Sequence, residues 1–307
     1  MAHGARNLFL SGVIDLIKQG EDIYIVAADL GAPCLDEVKE KFPQRLVNVG
    51  IAEQNMIAVS CGIALTGKKV VAYTSNPFTV IRAYDQIRNA VANMKIPLVI
   101  AGIGTGFSIS EYGATHFSVD DYNIMRACPA IQTVTISDAE MAKQAVDFVS
   151  KYEKPYYLRF DKNVEDSLFG TEKIAFSEGF RVVKQGEGLM VVASGNDVRQ
   201  IVDRAQGEPF KIVDLYGYPF DQKSFCRELE GCDKIVTVEE NVLPGGLGGA
   251  VCEALADVGV DIPVVRYGLD FRDGYPEYYG SSAYLRQRCG IDVGEIMEKI
   301  KEDGKDE

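Results

Sequence analysis

The chain has 307 residues, 47% hydrophobic and 25% charged, which is long for one domain and supplies apolar material for two cores. A net charge of −13 and a pI near 4.8 argue against nucleic acid or an anionic membrane surface as partners. No run reaches the roughly 18 uninterrupted apolar residues of a membrane helix, and the N-terminus lacks the layout of a signal peptide, so a cytoplasmic protein is expected.

In chain order, a helical pattern over Asn7–Gln19 leads to a β-rich run at Tyr24–Ala28 and another at Leu46–Val49. A helix over Ile51–Leu65 follows, then strand Val70–Thr74, helix Thr79–Met94, strand Pro97–Ala101, strand Ile131–Ile136, helix Asp138–Lys151 and strand Tyr156–Phe160. Apolar strands separated by amphipathic helices predict βαβ units and a mainly parallel sheet. The polar stretch Asp161–Gly188 reads as a linker, after which strands Leu189–Ala193, Lys211–Leu215, Lys234–Val238 and Val264–Tyr267 restart the rhythm. A last helix lies near Val293–Lys301, and the charged tail Lys301–Glu307 is expected to fray. Two parallel-sheet α/β domains follow, residues 1–185 with the linker and residues 186–307.

Seven cysteines (34, 61, 128, 226, 232, 252 and 289) form no C-x-x-C pair, and only His3 and His116 could join them as nitrogen ligands. Neither a structural zinc site nor a disulfide framework is expected, and most of these cysteines read as small buried hydrophobes.

The first segment with chemical promise is Asn48-Val49-Gly50-Ile51-Ala52-Glu53-Gln54-Asn55-Met56, where a strand ends and an apolar helix begins that runs to a left-handed cap at Gly67. Glu53 falls in a first helical turn at the carboxyl edge of a parallel sheet, the edge where open α/β sheets hold ligands. A carboxylate there also complements the helix dipole without any ligand. Phe78 and Tyr84 lie at the start of a helix whose Val80, Ile81, Tyr84, Ile87, Val91 and Met94 make a buried stripe, so core packing accounts for most of it. His116 follows a glycine-rich loop and is the only histidine beyond the N-terminal segment. Two glycine runs, Gly102-x-Gly104-x-Gly106 and Gly245-Gly246-Leu247-Gly248-Gly249, match neither the dinucleotide fingerprint nor the P-loop. The second is expected to be a tight turn opening a helix at Ala250–Asp257, with no ligand.

Gly50–Met56 resembles the Gly-x-x-Glu segment of the pyrimidine-binding domain in transketolases, deoxyxylulose phosphate synthases and 2-oxo acid dehydrogenase β subunits. Ala5-Arg6 with Ala27-Ala28-Asp29-Leu30-Gly31 resembles the start of that domain. Arg82-Ala83-Tyr84-Asp85-Gln86-Ile87-Arg88 resembles its aromatic helix, and Gly113-Ala114-Thr115-His116 its Gly-x-Thr-His turn. Val236–Asn241 with Gly245–Gly248 resembles the transketolase C-terminal domain. No one segment is specific; their shared order along the chain is.

The resemblance implies thiamine diphosphate as cofactor and a two-carbon ketol transfer from a ketose to an aldose, the work of a transferase of aldehyde or ketone residues. In the family, the glutamate matching Glu53 hydrogen-bonds the aminopyrimidine and favours the imino form that deprotonates the thiazolium. Such a glutamate must hold or share a proton, which burial favours and the helix dipole opposes. The resemblance further implies Phe78, Tyr84 and Asp29 at the cofactor, and His116, Arg6, Arg159 and Tyr112 at the substrate, with His116 in hydrogen bonding and proton transfer.

The Gly-Asp-Gly segment and later Asn with which the family holds the diphosphate and a Mg2+ (or Ca2+ or Mn2+) ion do not occur here. The resemblance is therefore to the C-terminal subunit of a split transketolase, implying a separate N-terminal subunit that brings the metal site and an assembly of two copies of each. The substrate side departs from the family pattern. Tyr112 stands where transketolases have Asp, Pro33 where they have Ser, and Gly104-Thr105 where they have a basic residue. A buried phosphate wants several charge-assisted donors, and here only Arg6 and Arg159 match, as the family's two arginines. Either the substrate phosphate is held differently or the acceptor is not a standard sugar phosphate, for example a nucleotide-linked or modified sugar. A 2-oxo acid dehydrogenase β subunit, a deoxyxylulose phosphate synthase-like enzyme and a non-catalytic partner subunit are the alternatives.

Overall fold

The structure, a computed structural model, describes residues 4–162, 164, 167–168 and 172–303. His3, part of the expected linker and the end of the charged tail lie outside the described residues. By its internal contacts the chain forms two units. Residues up to Thr105 with Ile124–Ile174 make the first, and Gly106–Asn123 with the chain from Ala175 make the second.

The first unit contains α1 (Ala5–Lys18), β1 (Ile23–Ala27), α2 (Pro33–Lys41), β2 (Leu46–Asn48), α3 (Glu53–Leu65) and β3 (Lys69–Ser75). A helical stretch of mixed geometry follows: π-helical over Phe78–Arg82, α-helical as α4 (Tyr84–Gln86) and π-helical again over Ile87–Asn93. Then come β4 (Val99–Ile103), the second half of α5 (Asp121–Arg126), whose first three residues belong to the second unit, β5 (Gln132–Ile136), α6 (Ala139–Gln144), α7 (Asp147–Lys151) and β6 (Tyr156–Phe160). The strands run parallel in the order β2-β1-β3-β4-β6-β5. Every residue of β4, β5 and β6 is buried, as a parallel sheet covered on both faces requires. The strand order reverses around β1, so the carboxyl ends of β1 and β3 border the crevice where such sheets hold ligands.

The helix expected over Thr79–Met94 is thus only partly α-helical, and this moves side chains out of the expected stripe. Val80, Ile87 and Val91 are buried, but Ile81 and Met94 are exposed, because wider π turns rotate later residues off the α-helical period. The helix expected over Asp138–Lys151 is two short helices, the first capped by Asp138, whose carboxylate accepts the Met141 N–H at 2.7 Å.

The second unit contains β7 (Arg181–Lys184), β8 (Gly188–Ala193), α8 (Asn196–Arg204), β9 (Lys211–Asp214), β10 (Gly217–Tyr218), α9 (Gln222–Arg227), β11 (Cys232–Val242), α10 (Leu247–Val258), β12 (Val264–Leu269), α11 (Ser282–Arg288) and α12 (Val293–Asp303). Its sheet has the order β12-β11-β8-β9-β7, parallel except for β7 against β9. β7 falls inside the stretch read as linker, because its charged ends hide an edge strand. Gly106–Asn123 joins this unit through Phe107, Phe117 and Val119, which share a core with Leu269, Leu285 and Ile291. The Val242 N–H also donates to the Val119 carbonyl at 2.7 Å.

All seven cysteines are free, and Cys61, Cys128 and Cys232 are buried. Among the described residues no cluster of three His, Cys, Asp or Glu side chains could hold a metal, and no helix is long and apolar enough to cross a membrane.

Candidate functional site

Glu53 opens α3, and the buried residues of that helix are Glu53, Met56, Ile57, Ser60, Cys61 and Ala64. These spacings define one face, so the packing that buries the apolar residues carries the carboxylate in with them. Glu53 is only 3% exposed. The turn before it is held by Asn48, whose side-chain oxygen accepts the Asp29 N–H at 3.2 Å and the Gly50 N–H at 2.9 Å. One amide thereby ties the end of β1 to the entry of α3. Asp29 itself is exposed and left-handed, with φ of 51°.

Arg82 supplies the counter-charge. Its Nη1 donates to Glu53 Oε2 at 2.9 Å, and its guanidinium carbon lies 4.3 Å from the centroid of the Phe78 ring. Phe78 is half-buried and begins the π-helical stretch that Arg82 ends. Glu53, Phe78 and Arg82 therefore form one cluster beyond the carboxyl ends of β2 and β3. Tyr84 does not join it by any contact of this kind; its ring packs against the apolar core around Ile87 and Val91.

The two arginines matched to substrate contacts lie in the same unit but in different surroundings. Arg6, half-buried on α1, hydrogen-bonds Asn7 Oδ1 at 3.0 Å. Burial pushes the Tyr73 phenol and the Cys34 thiol up, and the nearby Arg6 cation opposes both shifts. Arg159 on β6 is 3% exposed and donates to Thr135 Oγ1 at 2.9 Å.

His116 belongs to the second unit. Its imidazole packs on Tyr112, with ring centroids 5.0 Å apart and an interplanar angle of 35°, and Thr115 Oγ1 lies 3.0 Å from its Nδ1. Tyr112 is 73% exposed, so the aromatic that replaces the family's Asp presents its ring to solvent. The turn is anchored from behind: Ser110 Oγ donates to the Gly280 carbonyl at 2.7 Å.

The glycine runs have packing explanations. A Cβ on Gly102 would stand 1.9 Å from Asn76 Oδ1, an oxygen that accepts the buried Tyr157 hydroxyl at 2.5 Å. In the second run, a Cβ on Gly246 would stand 2.1 Å from Glu239 Oε2. That buried carboxylate accepts the N–H groups of Leu247 and Gly248 at 2.6 and 2.9 Å, capping α10 from strand β11. Burial pushes the Glu239 carboxyl up to about 7, against the pull of those donors. The expected helix starts earlier than Ala250, at Leu247, because Glu239 satisfies its first turn.

Arg82 is the residue that sequence reading passed over. It was visible within the Arg-Ala-Tyr-Asp-Gln-Ile-Arg segment, but its ion pair spans 29 positions and no local pattern signals it.

Residues 4–164 match the family described as "Transketolase, pyrimidine binding domain", and residues 179–292 match "Transketolase, C-terminal domain". A subunit of the apulose-4-phosphate transketolase of Actinobacillus succinogenes is 30% identical, across 97% of this chain and 97% of that protein. A putative transketolase C-terminal section of Methanocaldococcus jannaschii is 31% identical, across 99% of this chain and 97% of that protein. A solved structure described as a split gene transketolase, inactive beta4 tetramer, superposes with a TM-score of 0.83 at 26% identity and covers 98% of both chains. The chain thus belongs to the transketolase family, carrying its pyrimidine-binding and C-terminal domains.

Proposed function

We propose that this chain is the C-terminal subunit of a split, thiamine diphosphate-dependent transketolase, which transfers a two-carbon ketol unit from a ketose to an aldose of non-standard structure. The observation that carries the reading is Glu53: a carboxylate 3% exposed, at a helix start, paired with the flat Arg82 cation that lies over the Phe78 ring. Those residues fit an aminopyrimidine, which is flat and has hydrogen-bonding nitrogens at its edge. When bound, thiamine diphosphate supplies the electron sink for breaking the bond beside the donor carbonyl.

The chain's own residues then divide the work. Glu53 holds a proton at the pyrimidine edge, and Phe78 packs against the pyrimidine face, with Tyr84 and Asp29 bordering the same half-site. His116 hydrogen-bonds the donor's oxygens and moves a proton as the ketose is cleaved. Arg6 and Arg159 orient the substrate, and Tyr112 sets which sugar is accepted.

Mg2+ and the diphosphate are held by an N-terminal partner subunit, and the working assembly is two copies of each chain in the cytoplasm. Support for the partner comes from the relative named as one subunit of a transketolase and from the split-gene neighbour described as an inactive tetramer. Support for an unusual sugar comes from Tyr112, Pro33 and Gly104-Thr105, and from the relative named for apulose-4-phosphate.

The test is reconstitution. This chain, mixed with the N-terminal transketolase subunit from its own source, thiamine diphosphate and Mg2+, is expected to transfer ketol units, while each subunit alone is inactive. Glu53→Gln abolishes that turnover with the fold intact. Near-normal activity in Glu53→Gln would sink the assignment of Glu53. Efficient turnover of xylulose phosphate with ribose phosphate would refute the non-standard substrate.

A further inference from the structure

The Glu53 cluster holds a cation, Arg82, to which the proposed function gives no role. Arg82 donates from Nη1 to Glu53 Oε2 at 2.9 Å while its guanidinium carbon sits 4.3 Å from the Phe78 centroid. One flat group therefore meets the buried carboxylate with its edge and the aromatic ring at stacking distance. An aminopyrimidine bound by the same two residues would use the same two surfaces, nitrogen edge to Glu53 and ring face to Phe78. Two flat groups cannot occupy that place together.

Arg82 is also built to leave. Its side chain is 46% exposed, whereas Glu53 is 3% exposed, so one member of the pair faces water and the other is fixed. It stands at the end of the π-helical Phe78–Arg82 stretch, immediately before the chain changes to the α-helical Tyr84–Gln86. A half-exposed ion pair and a half-exposed cation–π contact are each weak, so displacing them is a modest barrier. Without any cation, however, Glu53 would be a buried charge with no counter-charge, which is costly. Arg82 resolves that conflict while the pyrimidine place is free.

We propose that Arg82 is an internal stand-in for the aminopyrimidine: it occupies the seat formed by Glu53 and Phe78, and cofactor binding requires its displacement. The proposal rests on the reading of Glu53 and Phe78 as the pyrimidine half-site. It makes Arg82 a competitor for that half-site, distinct from a residue that holds Glu53 in place throughout turnover.

Calorimetric titration of thiamine diphosphate, with Mg2+ in excess, into the complex of this chain with its N-terminal partner separates the two. Removing the competitor by Arg82→Gln is expected to tighten the dissociation constant about tenfold, the scale of one exposed ion pair plus one cation–π contact. Arg82→Lys, which keeps the charge but not the flat group, falls between. In a Glu53→Gln background the Arg82→Gln effect shrinks to less than about threefold, because the ion pair has already gone. Weaker or unchanged binding in Arg82→Gln, together with an inactive Glu53→Gln, overturns the stand-in and leaves the pyrimidine half-site intact. Near-normal turnover in Glu53→Gln overturns both.

Discussion

Arg286 offers the sharpest test of how the second unit is held together. Its Nη2 donates to Asp197 Oδ1 at 2.5 Å and to the Ile291 carbonyl at 3.3 Å, and its Nη1 lies 3.0 Å from Glu240 Oε1. The three side chains are 7%, 5% and 14% exposed, so one buried cation serves a buried carboxylate on α8 and a half-buried one on β11. Arg286→Met keeps the volume roughly constant but takes the guanidinium away from both carboxylates, Asp197 being the more deeply buried. Breaking a buried pair this way costs roughly 3–5 kcal/mol, which lowers the melting temperature of a unit of this size by about 10 °C. The sign of the pH dependence follows from Asp197, whose carboxyl burial pushes up against the pull of Arg286. Without Arg286 that opposition is gone and the folded-state value rises further. A raised carboxyl contributes stability that is fully present below the unfolded value near 4 and is lost as pH rises through the folded value. The deficit of Arg286→Met is therefore expected to be smaller at pH 5 than at pH 8. Differential scanning calorimetry of the full chain at both pH values measures it. A melting temperature within about 2 °C of the parent at pH 8, or an equal deficit at both pH values, would refute the reasoning.

Glu239→Gln probes the capping carboxylate, whose folded value of about 7 lies above the ordinary 4.5. The parent's second unit should lose stability as pH rises through 7, and calorimetry should show the glutamine variant without that slope. Gly102→Ala drives a methyl group into Asn76 and its bond from Tyr157, and overpacking of this kind costs roughly 1–3 kcal/mol by urea titration. Combining it with Asn76→Gly should recover part of the loss, since the two changes share one contact.

The strands and the position of Glu53 were legible because both are local. Every residue of β4 and β6 is buried, so β4 reads as a continuous apolar run and β6 as an aromatic and aliphatic run broken only by Arg159, and Glu53 follows a strand end and opens an apolar helix. The geometry of residues 78–93 was not legible. An α-helix and a π-helix share similar residue preferences, and only the exposure of Ile81 and Met94 betrays the wider turns. β7 was hidden because an antiparallel edge strand with Arg181 and Lys184 at its ends lacks the apolar run of a central one. The glycine runs were excluded as dinucleotide or P-loop sites by their spacing, but what demands Gly102 and Gly246 was not legible, because Asn76 and Glu239 lie 26 and 7 positions away.

The grouping of Gly106–Asn123 with the second unit changes what that unit does. Phe107 and Phe117 pin both ends of the His116 turn into a core made with Leu269, Leu285 and Ile291. Ser110 fixes its middle to Gly280, next to Ser281, the residue that caps α11 by accepting the Tyr284 N–H at 3.3 Å. Asn123 closes the segment by donating to the carbonyls of Val242 and Pro244 at 2.7 and 2.6 Å, directly before the glycine run that embraces Glu239. Arg286 lies on α11, so the ion triad and the His116 turn are supported by one helix. Under the proposed function, the substrate-side residues Tyr112 and His116 are therefore positioned by the C-terminal unit, although the sequence places them among the strands of the pyrimidine-binding unit. Substitutions that loosen α11 should then alter sugar discrimination while leaving the Glu53 cluster, which is built entirely within the first unit, as it is.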